Sequence, residues 1–264
     1  LIHSVCDQMG YSITLTGIPQ RIISLVPSDT ELLFDLGVGD RVVGITDFCI
    51  HPAQGVTGIP SIGGPKQFQF NTIAALQPEL IIGNKEENYE EGIRQLRGKY
   101  PVWMSDITKF DHALDHIELI ANIVGRPAAG KSLVTDIEQG FKEIRLKQPP
   151  KTVAYVIWDE PLMVAGSQTF INTLLNLAGY ENAFNALTRY PQIQVEDILA
   201  SDPDLIFLAS EPYAFTRHHQ LLYQKKFPHA KVVLVDGEMF AWYGSHLQKA
   251  PPYFRQLAKQ TGLS

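Results

Sequence analysis

Phe70-Asn71-Thr72-Ile73-Ala74-Ala75-Leu76-Gln77-Pro78-Glu79-Leu80-Ile81-Ile82 and Val195-Glu196-Asp197-Ile198-Leu199-Ala200-Ser201-Asp202-Pro203-Asp204-Leu205-Ile206-Phe207 are two versions of one pattern. Each reads as a short helix halted before proline, whose ring cannot continue it, followed at once by an apolar strand of the buried type. A second β-type run comes later in both copies, Val102-Trp103-Met104 in one and Val232-Val233-Leu234-Val235 in the other. The openings correspond more loosely, since Ser28-x-Thr30 and Ser167-x-Thr169 each precede an apolar helix and a glycine. Repetition on this scale predicts two α/β lobes of similar plan.

Working outward, residues 11–15 alternate polar and apolar and read as a half-exposed strand, whereas 21–26 is a denser run of buried-strand type. Pro27 ends that run. Ser28-Asp29-Thr30-Glu31 then supplies capping groups for a helix through Leu32, Leu33, Phe34 and Leu36, stopped by Gly37, and Val42-Val43-Gly44-Ile45 is the next strand. Between the repeats no strand signal appears. Leu114, Ile117, Ile120, Ala121 and Val124 keep a 3.6-residue period up to Gly125, and Pro127 opens a second helix through Leu133, Ile137, Phe141 and Ile144 to about Lys147. A helix of roughly 20 residues spans about 30 Å. The expected plan is therefore an N-terminal lobe at 1–125, a connecting helix at 126–148 and a C-terminal lobe at 149–264, with small relative lobe motion. An ordinary surface helix within one domain is the alternative on pattern alone.

With 264 residues, 45% hydrophobic and 19% charged, the chain is long enough to bury a core in each lobe. A net charge of −6 without a dense basic cluster excludes a nucleic-acid footprint. The apolar runs are strand-length, well short of the roughly 20 residues that span a bilayer. Cys6 and Cys49 fit one disulfide or two free thiols. The first residues show no basic segment followed by an apolar run, so a cytoplasmic location stays open beside an exported one.

Catalysis needs a nucleophile beside a base, paired carboxylates, or metal ligands at workable spacing. There is no Gly-x-Ser-x-Gly elbow and no Gly-x-Gly-x-x-Gly, which points away from an enzyme. Asp111-His112 and Asp115-His116 put two imidazoles at i and i+4 on one helix face, suited to a metal with a third ligand. An exposed polar face explains them equally well. Cys49 and His51, just past the strand Val42–Ile45, are candidate ligands for a soft metal, against the plainer reading of a buried thiol and a loop imidazole. His218-His219 reads as solvated surface.

Ligands of open α/β sheets gather outside the carboxyl ends of the strands. Trp158, Tyr213, Trp242 and Tyr243 fall at such ends, as do Asn84 and Lys85, and Gly63-Gly64 before Lys66 permits close backbone approach to a ligand. Flat rings suit a large planar ligand, with amide and charged groups fixing its orientation.

The run from Arg21-Ile22-Ile23-Ser24-Leu25-Val26-Pro27-Ser28 through Thr30-Glu31-Leu32-Leu33-Phe34 to Gly37-Val38-Gly39-Asp40-Arg41-Val42-Val43-Gly44-Ile45 resembles the opening of the helical-backbone class of ABC-importer receptors. Similarity continues through Gly63-Gly64, both proline-centred repeats, Pro161-Leu162-Met163-Val164-Ala165-Gly166 and Asp236-Gly237-Glu238 with Trp242-Tyr243-Gly244-Ser245. The class includes vitamin B12, ferric-siderophore and haem receptors. The resemblance implies two Rossmann-like lobes joined by one long α-helix, a ligand cleft between the lobes, and a non-enzymatic, monomeric protein outside the cytoplasm, periplasmic or membrane-anchored. It also implies a glutamate on each lobe, Glu31 and Glu196, that engages arginines of the permease; helix capping alone also accounts for Glu31. The implied cargo is a cobalt- or iron-containing small molecule, with no cofactor required. Its contacts are Lys66, Asn84, Lys85, Trp158, Tyr213, Trp242, Tyr243 and His246. Where the B12 receptors carry first-lobe tryptophans this chain has Pro65 and Asn84, and near the end His246 or Leu247 replaces an arginine. A corrinoid stays first, with haem, taking Tyr243 or His246 as axial ligand, and ferric siderophores close behind. The alternatives are an intracellular carrier or sensor of the same fold and a metal-dependent enzyme.

Overall fold

The computed structural model describes residues 3–145 and 147–263. The expected lobe limits at 1 and 264, and Leu146 within the expected connector, lie outside the described residues. Two compact units are present. One takes residues up to Ile107, then Asp111–Asp136 and Tyr243–His246; the other takes Thr108–Phe110, Ile137–Trp242 and Leu247 onward.

In the N-terminal unit a hairpin of β1 (His3–Cys6) and β2 (Ser12–Leu15) precedes β3 (Ile22–Ser24), α1 (Pro27–Asp35) and β4 (Val42–Ile45). A two-residue ladder of β5 (Gly63–Gly64) with β6 (Gln67–Phe68), then α2 (Phe70–Leu76), β7 (Leu80–Asn84), α3 (Glu90–Arg97) and β8 (Val102–Ser105) follow. The sheet is all parallel in the order β4-β3-β7-β8. Ile23, Ile81, Val102 and Met104 from its strands pack with Ile73 of α2 and Ile93 of α3. Each such side chain contributes roughly 1.5–3 kcal/mol by leaving water. Pro27 takes the first position of α1, where its missing N–H costs no bond, and no side chain caps the helix. Ser28 to Glu31 thus lie inside the first turns and are buried, so the expected capping role is corrected.

Helix α4 (Phe110–Ile123) ends where expected, with Gly125 at φ 72°, and α5 (Pro127–Lys142) follows. The division between the units falls within α5, between Asp136 and Ile137. At 16 residues α5 is about 24 Å long, shorter than the expected run to Lys147. Its end tightens because the Glu143 N–H is shared between the carbonyls of Gln139 and Gly140, and that of Ile144 reaches back only three residues to Phe141.

The C-terminal unit comprises β9 (Lys151–Trp158), β10 (Met163–Val164), α6 (Phe170–Leu177), β11 (Tyr180–Asn182), α7 (Val195–Ser201), β12 (Leu205–Ala209), α8 (Arg217–Lys226), β13 (Lys231–Val235), α9 (Glu238–Ala241) and α10 (Ala250–Thr261). Strands β9, β12 and β13 are parallel neighbours, while β11 and antiparallel β10 share the free edge of β9. Alternate residues separate two cores. Ala154, Val156, Ile206 and Leu208 face Ile198 and Tyr223, while Tyr155 and Phe207 meet Phe240, with centroids 5.2 and 6.1 Å away. The two repeats agree down to the backbone: α2 and α7 both end on a left-handed residue, Gln77 (φ 46°) and Asp202 (φ 40°), before a buried proline.

Candidate functional site

The carboxyl edge of the C-terminal sheet is aromatic and partly open. Trp158 ends β9, is 37% exposed, and donates its indole N–H to the Glu160 carbonyl at 3.0 Å. Tyr213 follows the adjacent strand β12, and its ring stands edge-on to Trp158 with centroids 5.5 Å apart. Glu211, two residues earlier, accepts the Trp242 indole N–H at 2.8 Å, so Trp242 is held by a carboxylate and only 7% exposed. Gly237 packs where a side chain would strike Glu211, which keeps β13 and this carboxylate close together.

In the N-terminal unit the ends of β7 and β8 carry polar groups engaged with one another. Asn84 is buried at the end of β7; its amide donates to Ser105 Oγ at 3.0 Å and its carbonyl accepts the backbone N–H groups of Glu86 (2.8 Å) and Glu87 (3.3 Å). That makes Asn84 the organiser of its turn. Lys85 pairs with Asp106 at 2.6 Å, and exposed Lys66 donates to the Glu86 carbonyl at 2.9 Å. Tyr243 and His246, expected among cargo contacts, are buried in this unit. The Tyr243 hydroxyl lies 3.4 Å from both Ser105 Oγ and Asp29 Oδ2. Burial, and then the Asp29 carboxylate, push its phenol well above the ordinary tyrosine range. His246 Nδ1 is 2.6 Å from Glu31 Oε2. An axial role for Tyr243 or His246 does not fit these buried positions.

The two glutamates named as docking residues part company. Glu196 is exposed at the second position of α7, beside the helix N-terminus. Glu31 is 4% exposed and paired with His246, which corrects the expectation of a surface carboxylate on α1. The local reason is that Glu31 sits inside a helix whose first turns are packed against the unit, with Gly244 (φ 72°) approaching the Ser28 carbonyl. His116 is a second correction: it is fully buried, with Nε2 2.5 Å from Asp29 Oδ1. Cys49 is buried with Sγ 3.2 Å from Thr46 Oγ1, and burial raises its thiol. His51 stacks obliquely near His246 with centroids 6.1 Å apart. Among the described residues no group of three or more His, Cys, Asp and Glu side chains is arranged to hold a metal ion, so neither histidine-containing pair forms such a centre. Cys6 and Cys49 are both free thiols, one exposed and one buried.

Two residues that sequence reasoning passed over have defined roles. Asp29 joins His116 and Tyr243, and nothing in the pattern around it separates it from a capping carboxylate. His219 accepts the Thr216 backbone N–H on Nδ1 and lies 3.1 Å from the Tyr213 hydroxyl through Nε2. The spacing Thr216-x-x-His219 is that of a capping box and was a usable signal.

The profile of the periplasmic binding protein family matches residues 22–235. The vitamin B12-binding protein of Vibrio cholerae is 24% identical over 200 residues, covering 74% of this chain and 72% of that protein. An uncharacterized ABC transporter substrate-binding lipoprotein of Bacillus subtilis is 27% identical over 214 residues, 77% of this chain and 68% of that protein. The crystal structure of the periplasmic haem-binding protein of Vibrio cholerae shares the fold, with a TM-score of 0.77 and 21% identity over 90% of this chain and 98% of that one. Among the described residues no helix is long and apolar enough to cross a membrane.

Proposed function

The chain belongs to the periplasmic binding protein family, and from that premise we propose that it is the solute receptor of an ABC importer, binding a large metal chelate without transforming it. The relatives are named for vitamin B12 and haem, which puts corrinoids and iron chelates in the same candidate group. The observation that carries the reading is the aromatic edge at the tips of β9 and β12, where Trp158 is open to solvent beside Tyr213. Rings of that kind cover a planar ligand with little loss of side-chain freedom. Lys66 and Lys85, on the loops of the N-terminal unit, are the cations proposed to meet carboxylate or phosphate groups of the cargo. Asn84, Tyr243 and His246 act behind them as buried supports.

Exposed Glu196 is the proposed docking carboxylate for an arginine of the permease, and an extracytoplasmic monomer is the proposed working form. The test is titration of the purified protein with cyanocobalamin, haemin and a ferric hydroxamate siderophore, followed by tryptophan fluorescence. Saturable quenching by one of the three is the expected result. A flat response to all three contradicts the assignment.

A further inference from the structure

Between Glu211 and Asp236 the chain carries Arg217, Lys225, Lys226 and Lys231 and no carboxylate side chain, in a protein whose net charge is −6. Three of these cations lie on α8, and their spacing is ordered. Arg217-Leu221-Lys225 and His218-Leu222-Lys226 are two adjacent rows at four-residue intervals, each with a leucine between basic side chains. Both rows face water: Leu221 is 50% exposed and Leu222 48%, and the residues flanking them in each row are exposed as well. The leucines are not the face that α8 turns inward. Tyr223 is buried there and donates its hydroxyl to Asp159 at 2.6 Å. Gln220 donates to the Val232 carbonyl at 2.7 Å, while Gln224 accepts the Val232 N–H at 3.1 Å and donates to the Ala230 carbonyl at 2.9 Å. Strand β13 pairs with β12 on one side, so these two glutamines satisfy its outer edge and fix which face of α8 points out.

Helix chemistry accounts for part of this pattern. Lys225 and Lys226 sit in the last turn, where cations offset the helix dipole. The two leucines stay unexplained, because aliphatic side chains held in water contribute nothing to the core. The contacts of the α8 cations are neutral: Arg217 donates to Gln220 Oε1 at 2.6 Å, and Lys226 Nζ lies 5.7 Å from the centre of the Tyr223 ring. Lys231 is turned away to the Gln260 carbonyl at 2.5 Å. Asp204, at the start of the neighbouring strand, accepts the Thr152 N–H at 2.8 Å and its hydroxyl at 2.9 Å. We propose that the outer face of α8 docks on the surface of an anionic phospholipid bilayer. Leu221 and Leu222 enter the headgroup boundary, and the stems of Arg217, Lys225 and Lys226 lie beside them with their charged ends at the phosphates. The charges are complementary, and a bilayer accepts a convex helix face without a matching groove. A second copy of this chain would set cations against cations. Two leucines and three cations give a reversible attachment that fades with salt. The inference goes beyond the receptor reading and does not depend on which cargo is bound.

The experiment is cosedimentation of the purified protein with vesicles of phosphatidylcholine alone and of phosphatidylcholine with an equal part of phosphatidylglycerol, at low and high salt. Analytical ultracentrifugation follows the protein by itself. Wild type is expected to pellet with the anionic vesicles at low salt, to be released at high salt, and to ignore phosphatidylcholine. Lys225→Gln with Lys226→Gln removes two charges and lowers the partition about 25-fold, at about fivefold for each. Lys225→Arg with Lys226→Arg keeps wild-type binding. So does Lys131→Gln with Lys259→Gln, an equal loss of charge at exposed positions elsewhere. Leu221→Ser with Leu222→Ser weakens binding at least about tenfold while far-ultraviolet circular dichroism stays that of wild type. Equal binding to both vesicle types, or binding to anionic vesicles that neither the Lys→Gln nor the Leu→Ser pair reduces, overturns the proposal. Absence of vesicle binding overturns it too, and self-association lost in Leu221→Ser with Leu222→Ser would then assign the face to a second copy. Each of these results leaves the receptor reading standing.

Discussion

The two sheets share a topology and a repeated helix-proline-strand unit, yet their carboxyl edges are finished in opposite ways. At the N-terminal edge the tips of β7 and β8 are tied to each other by Asn84 and Ser105, and α1 beyond β3 holds the buried pairs Asp29–His116 and Glu31–His246, while Phe48 and Ile50 beyond β4 stay exposed. At the C-terminal edge the tips carry aromatic rings, one of them 37% exposed, and the polar atoms of Tyr213 and His219 are ordered without being sealed. A repeated backbone therefore does not dictate a repeated surface. The side chains just beyond each strand decide whether it closes on itself or stays available.

The largest effect should come from breaking the closed edge. Asp29→Ala leaves His116 fully buried without its carboxylate, and stability measured by urea unfolding is expected to fall by about 3–5 kcal/mol. A loss under about 1 kcal/mol refutes the claim that this pair holds the edge. The alkaline limb sets a second test. Burial pushes Tyr180 and Tyr253 up to about 12 from the ordinary value of 10.0. The folded chain therefore keeps protons there that the unfolded chain has lost. Stability from these phenols is whole below pH 10.0 and declines as pH rises towards about 12. Melting temperature should drop across that window, and Tyr180→Phe should flatten the drop; an unchanged slope removes Tyr180 from the account.

Smaller differences sharpen the contrast between the two openings. Thr169 caps α6 by accepting the Asn172 N–H at 3.1 Å, whereas α1 has no side-chain cap. Thr169→Ala is accordingly expected to cost about 1 kcal/mol in the same unfolding assay. Trp158→Ala should alter stability by less than about 1 kcal/mol, because the ring is partly in water, while weakening cargo binding more than about tenfold. Equal losses in both measurements would mean the ring serves packing alone. Glu196→Gln should leave stability within about 0.5 kcal/mol and lower cargo-stimulated ATPase of the reconstituted importer.

The repeats, the main strands of both sheets and their tips were legible because proline and apolar runs act locally. The end of α5 was not, since nothing in residues 139–147 announces that the last N–H groups bond three residues back. Glu31 and His116 were misjudged for a shared reason. A charged residue near a helix start reads as exposed, and its burial depends on partners far away in sequence, His246 for Glu31 and Asp29 for His116. His219 read as surface because the capping bond on one nitrogen is local, whereas the bond to Tyr213 on the other depends on how the loop after β12 folds back.

Hydrogen–deuterium exchange with and without haemin tests the central claim most directly, by asking which strand tips the cargo covers. The account predicts slowed exchange in 158–162 and 210–219, after β9 and β12. Protection confined to other parts of the chain, with these two loops exchanging as fast as in the free protein, would contradict it.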